Sequence, residues 1–144
     1  MKNVFFTIIG FVSLLAISCG NTETSVNNAK TTSEQTKLEF SNVSVADLNN
    51  AITHKADIIV LDVRTPGELK EGYVAQAFNA NVKGAGFSSA VSELDHSKTV
   101  YVYCRSGHRS QIASKQLIEL GFKDVRNVEG GFLAWASAGF PVAK

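Results

Sequence analysis

The sequence predicts an α/β fold: a small parallel-stranded sheet flanked by helices on both faces. Two runs, Asp57 to Val63 and Thr99 to Tyr103, have unbroken apolar centres. That pattern suits parallel strands covered on both sides rather than strands with one wet face. The third observation is order along the chain. Strand-like runs alternate with helix-like ones across short links, which builds a mostly parallel sheet.

Taken in order, Ser44 is the expected N-cap of a helix through Val45, Leu48 and Ile52. Asp57 to Val63 is the first strand. Thr65-Pro66-Gly67-Glu68 starts a turn or short helix, with Pro66 suited to a first helical position. Gly72 to Gly86 is rich in small residues and has room for a short strand at Phe78 to Val82. Phe87 to Leu94 reads as a helix with Ser88 or Ser89 near its start. Val100 to Tyr103 is the second firm strand, followed by a helix from Ser110 to Leu120 that Gly121 ends in the left-handed conformation. Val125 to Val128 is a further strand. Glu129-Gly130-Gly131 then turns into a closing helix whose Phe132, Leu133 and Trp135 are expected in the core.

The first 36 residues stand apart from this pattern. Met1 to Ser18 combines a basic Lys2, an apolar stretch from Val4 to Ile17 and small residues up to Ser18. This is the layout of a secretory signal peptide, and the apolar stretch is too short to span a membrane. Cys19 sits where cleavage would fall, and Leu15 to Gly20 resembles the lipobox of bacterial lipoproteins. Cys19 is therefore the expected lipidation site, the alternative being an ordinary cleaved signal with an incidental cysteine. Residues 19–36, rich in Asn, Thr, Ser and Glu, bury too little to offset their ordering entropy and are expected to form a flexible tether. Residues 37–144 then make one domain of roughly a hundred residues, enough for a single core. The expected location is the cell envelope, facing the periplasm, with membrane contact only through the lipid.

The chain carries 14 Lys and Arg against 13 Asp and Glu. Losing Met1 to Ser18 removes Lys2 alone, so the remainder is formally neutral. Neutrality argues against nucleic acid or a broad anionic surface as partner. Against that background, Cys104-Arg105-Ser106-Gly107-His108-Arg109-Ser110 holds two arginines, a histidine and no acid. It is a focused anion site.

Cys104 opens that run, between a strand and a helix. With Cys19 lipidated it has no intramolecular partner, and a free thiol in an oxidising compartment is a liability unless it is used. Loop amides, the helix dipole, Arg105 and Arg109 all favour its thiolate; a buried, inert cysteine is the bland alternative. Gly107 is expected at positive φ, in a position where a Cβ would enter the anion's space. Ser106 or Ser110 is expected to cap the helix and donate to the anion, while His108 either binds substrate, tunes the thiolate or faces solvent. Asp62 and Arg64 lie at the carboxyl end of the first strand, the edge at which α/β crevices open, and Cys104 shares that edge. They are expected as a structural pair anchoring the crevice loops, the alternative being a direct role in the chemistry. His54 and His96 have no second ligand at metal spacing, and Gly130-Gly131 lacks the following lysine of a phosphate loop. No metal and no cofactor are implied.

Four stretches resemble the rhodanese-like family. They are Asp62-Val63-Arg64-Thr65-Pro66 with Glu68; Glu71-Gly72-Tyr73-Val74 with Ala77-Phe78-Asn79; Tyr103 to Ser110; and Asn127 to Phe132 through Trp135, Gly139 and Pro141. Tyr73 and Val74 depart from the family's pattern. The resemblance implies a sulfurtransferase in which Cys104 takes a sulfur from a small sulfur-containing anion such as thiosulfate, holds it as a persulfide, and passes it to a thiol or cyanide-like acceptor. A protein sulfur donor or acceptor fits equally. Arg105 and Arg109 would hold the donor's oxygens.

Two other classes share these residues. Cysteine phosphatases and arsenate reductases place one more residue between cysteine and arginine, around a tetrahedral anion. Here only the four residues Arg105 to His108 intervene, a tighter cradle suited to a sulfur atom. A sulfur carrier without turnover, or a redox sensor cycling through sulfenic acid, would keep the same loop.

Overall fold

The computed structural model describes residues 39–54 and 56–144. The expected signal peptide at 1–18, lipidation site at Cys19 and tether at 19–36 lie outside the described residues. In chain order the elements are β1 (Ser41–Val43), α1 (Val45–Thr53), β2 (Ile58–Asp62), β3 (Tyr73–Val74), β4 (Phe78–Asn79), α2 (Phe87–Ser92), β5 (Thr99–Tyr103), α3 (His108–Glu119), β6 (Asp124–Val128), α4 (Gly131–Ser137) and β7 (Val142–Ala143). Five strands form one sheet in the order β1-β6-β5-β2-β4, every neighbouring pair parallel. This is the α/β architecture the alternation implied. β3 and β7 add a small antiparallel ladder.

Side-chain alternation along the central strands sorts the core into two layers. Val100 and Val102 of β5, continued by Cys104, join Phe87 and Val91 of α2 and Ala113 and Leu117 of α3. Tyr101 and Tyr103 point the other way, onto Leu48 of α1 and Phe132 and Trp135 of α4. Both faces are covered, which is why β2 and β5 read as unbroken apolar runs.

Ser44 caps α1 through a reciprocal box. Its hydroxyl accepts from the Asp47 N–H at 3.2 Å, and the Asp47 carboxylate accepts from the Ser44 N–H at 2.9 Å. Four expectations change. β4 stops at Asn79, although Ala80 and Val82 still donate to β2-side carbonyls of Asp62 and Val63. Pro66 lies in a turn, and the 3₁₀ turn after it begins at Glu68. α2 starts at Phe87 as expected, with Ser88 and Ser89 in its first turn, but ends at Ser92 rather than Leu94. Leu133 is 44 % exposed, because on a helix it lies well round from Phe132 and Trp135, which share the buried face. β1, β3 and β7, two or three residues each, are too short for any periodicity to reveal. Among the described residues, no helix is long and apolar enough to cross a membrane.

Candidate active site

β5 delivers Cys104 to the carboxyl edge of the sheet, where the chain must turn back into α3. Gly107 makes that reversal at φ +103°, in the left-handed region that favours glycine. Its conformation by itself demands glycine, since a Cβ there would meet only the Gly130 nitrogen among protein atoms, at an ordinary 3.4 Å. The sharp turn also starts α3 at His108, two residues before the expected Ser110. Neither serine caps the helix. Ser106 is exposed, and buried Ser110, inside the first turn, donates its hydroxyl to the Gly107 carbonyl at 2.9 Å.

The same reversal turns amides toward sulfur. The Gly107 N–H donates to Cys104 Sγ at 3.1 Å. Cys104 is only 1 % exposed. Burial alone pushes its thiol up, but the N–H groups of Ser110, Gly107 and Ser106 and the Ser110 hydroxyl outweigh it, holding the thiol below its ordinary value. An inert core cysteine would show the burial without the donors.

The loop's carbonyls are occupied elsewhere. Cys104 O accepts from the Phe132 N–H at 2.8 Å, and Arg105 O from the Leu133 N–H at 3.0 Å. These are first-turn amides of α4 that have no partner within their own helix. Gly131, at φ +56°, allows this approach; a Cβ there would overlap Cys104 O and sit 2.9 Å from the carbonyl of Arg105. The carbonyls of Cys104 and Arg105 therefore face α4 while the Gly107 N–H faces the thiol.

The loop's cations divide. Arg105 and His108 are exposed, and Arg105 forms no ion pair among the described residues. Arg109 is paired: its Nη1 and Nη2 donate to the two Glu68 oxygens at 2.8 and 2.6 Å. Glu68 also accepts from the Thr65 N–H and hydroxyl at 3.1 and 2.9 Å. The Arg109 hydrogen bonds, with help from Thr65, hold the Glu68 carboxyl at a pKa of about 2 against its partial burial.

Asp62 and Arg64 are both wholly buried and form a pair of their own. Arg64 Nε donates to both Asp62 oxygens at 3.0 Å and Nη2 to one at 2.7 Å. Nη2 also reaches the Gly72 carbonyl at 2.8 Å, and the guanidinium lies 4.2 Å from the Phe132 ring centre. Burial works against the Arg64 charge, but Asp62 outweighs it and raises the guanidinium further above its usual range. Every one of these contacts ties β2 to the next turn and to α4; none involves the thiol. The loop after β2 reaches the active-site loop through Glu68 instead. Sequence reasoning placed Glu68 only within a motif. The signal available was its place just beyond β2, whose neighbour β5 is parallel and leads into the loop carrying Arg109.

Asn79 was likewise unassigned: its Nδ2 donates to the carbonyls of Asp62 and Arg64, both at 2.9 Å, pinning the end of β2. A separate groove of about 480 Å³ between α1 and the sheet, bordered by His54, Tyr101 and Arg126, includes no residue of the cysteine loop. Among the described residues, no three His, Cys, Asp or Glu side chains gather as metal ligands.

The fold is thus a parallel sheet that hands one cysteine to an amide-lined turn. Residues 44–138 match the model of the rhodanese-like domain, and the chain belongs to that family. A sulfurtransferase of Allochromatium vinosum is 33 % identical over 95 residues, covering 66 % of this chain and 87 % of the relative. The thiosulfate sulfurtransferase GlpE of Pseudoalteromonas translucida is 28 % identical over 101 residues, covering 70 % and 93 %. Among solved structures, the crystal structure of a rhodanese-related protein from Thermoplasma volcanium superposes with a TM-score of 0.59 at 34 % identity. It is matched over 98 % of its length and 72 % of this chain.

Proposed function

We propose that this protein is a sulfurtransferase that carries a sulfane sulfur from a donor such as thiosulfate or polysulfide to a thiophilic acceptor as a persulfide on Cys104. With thiosulfate, the Cys104 thiolate forms a bond to the outer sulfur. The bond to the sulfonate sulfur breaks, and sulfite leaves with the electron pair. Thiolate and dianion thus become persulfide anion and sulfite dianion, with charge conserved. A thiol or cyanide then attacks the terminal sulfur, and Cys104 returns as thiolate.

The observation that carries this reading is the Gly107 N–H on Sγ at 3.1 Å, in a turn that holds the buried thiol below its ordinary value. Fixed amides around one sulfur lower the cost of a thiolate and of the persulfide anion that replaces it. The four-residue interval to Arg109 keeps the cup small. Export, a lipid on Cys19 and a periplasmic station are part of the same proposal, resting on the sequence of residues 1–20.

Mass spectrometry after mixing with thiosulfate should find one added sulfur on Cys104, and steady-state assay with cyanide should release sulfite. Cys104→Ser should remain folded and do neither. Added sulfur without turnover would leave a carrier. No added sulfur from thiosulfate, polysulfide or a persulfide would sink the reading.

A further inference from the structure

Two guanidiniums on the loop suggest a site made for dianions, yet Arg109 is already bound through Nη1 and Nη2 by Glu68. About four-fifths of each side chain in this pair is buried. Glu68 stays ionised at any working pH, since its pKa is about 2. Resting on the sulfurtransferase reading above, we propose that Glu68 is a specificity-determining residue that sets the charge of the preferred donor. By cancelling Arg109 it disfavours dianionic thiosulfate and favours low-charge donors whose sulfane sulfur rides on a thiol.

The electrostatics of the two reactions differ at the start. Attack on thiosulfate brings a thiolate and a dianion together, three negative charges in one crevice. Attack on a protonated persulfide, R–S–SH, brings only one: Cys104–S⁻ bonds to the outer sulfur, the S–S bond breaks, and R–S⁻ leaves while the proton stays on the new Cys104–S–SH. Arg109 minus Glu68 contributes no net charge, and the Asp62–Arg64 pair likewise cancels. Of the two loop guanidiniums, exposed Arg105 alone remains to offset the thiolate. A dianion gains nothing from such a balance, whereas an uncharged persulfide loses nothing.

Glu68→Gln removes the charge and keeps groups able to hydrogen-bond Thr65 and Arg109. For thiosulfate, kcat/KM should rise on the order of tenfold, the effect of one released unit charge on a dianion beside a partly exposed ion pair. For cysteine persulfide, uncharged overall when its outer sulfur is protonated, it should stay within about twofold, because Coulomb's law leaves an uncharged donor indifferent. In the wild type, kcat/KM for thiosulfate should be nearly flat with ionic strength, and in the variant it should fall as salt rises.

A drop in thiosulfate activity on Glu68→Gln would overturn the inference, since Glu68 would then be holding Arg109 ready for the donor. Equal changes with both donors would overturn it too, and so would a steep salt dependence in the unmodified protein, a measurement that needs no variant. Any of these with sulfur still appearing on Cys104 leaves the sulfurtransferase reading standing; sulfur absent with both donors removes that reading itself.

Discussion

Gly131→Ala perturbs the one place where α4 touches the cysteine loop backbone to backbone. Alanine at φ +56° carries the left-handed penalty of about 1–2 kcal/mol. The new Cβ also overlaps Cys104 O, so the two strands of backbone must part. If that breaks the bonds from Phe132 N–H to Cys104 O and from Leu133 N–H to Arg105 O, each costs a further ~0.5–1.5 kcal/mol. The sum, about 2–5 kcal/mol, is a large share of the ~5–15 kcal/mol that holds a typical domain folded. Gly139→Ala is the matched control. Its φ is +73°, but a Cβ there meets nothing within 4 Å, so only the ~1–2 kcal/mol of backbone strain applies. Urea unfolding of both variants reads the difference in stability. The pH dependence of Cys104 alkylation reads the loop: Gly131→Ala should move the thiol's midpoint up toward that of a free cysteine, and Gly139→Ala should leave it in place. Equal destabilisation of the two variants with unchanged alkylation would refute the claim that this contact orients the amides.

Other outcomes follow from the two ion pairs. Asp62→Asn strands the wholly buried Arg64 charge and should cost about 3–5 kcal/mol in chemical denaturation; a loss below ~1 kcal/mol would show that water reaches the guanidinium. The Glu68 carboxyl, with a folded pKa of about 2, is depressed by Arg109, so its stabilisation is complete above its unfolded value near 4.5. It fades as pH falls from there toward 2. With the side chain 21 % exposed, solvent screening limits the effect to about 1–2 kcal/mol. Wild type and Glu68→Gln should therefore differ in unfolding free energy at pH 6 and converge at pH 2. A gap that persists at pH 2 would mean the carboxylate charge is not what stabilises.

What local sequence determined is what local physics governs. Ser44 with Asp47 makes a cap from residues three apart, and the unbroken apolar centres of β2 and β5 report a sheet covered on both faces. Gly107 after a strand announces a tight turn, because glycine takes the left-handed conformation without a steric penalty. The short strands β1, β3 and β7 exist only through their partners, so no periodicity within them exists to be read. Tertiary structure likewise decided the charge of the site. Arg109 reads as a free cation along the chain, and it becomes half of a neutral pair because parallel β2 and β5 bring Glu68, 41 positions away, to the same edge of the sheet. Asp62 and Arg64 share that edge yet face α4 rather than the thiol. Strand position tells which end of a sheet a residue occupies, whereas direction and partner depend on packing from distant segments.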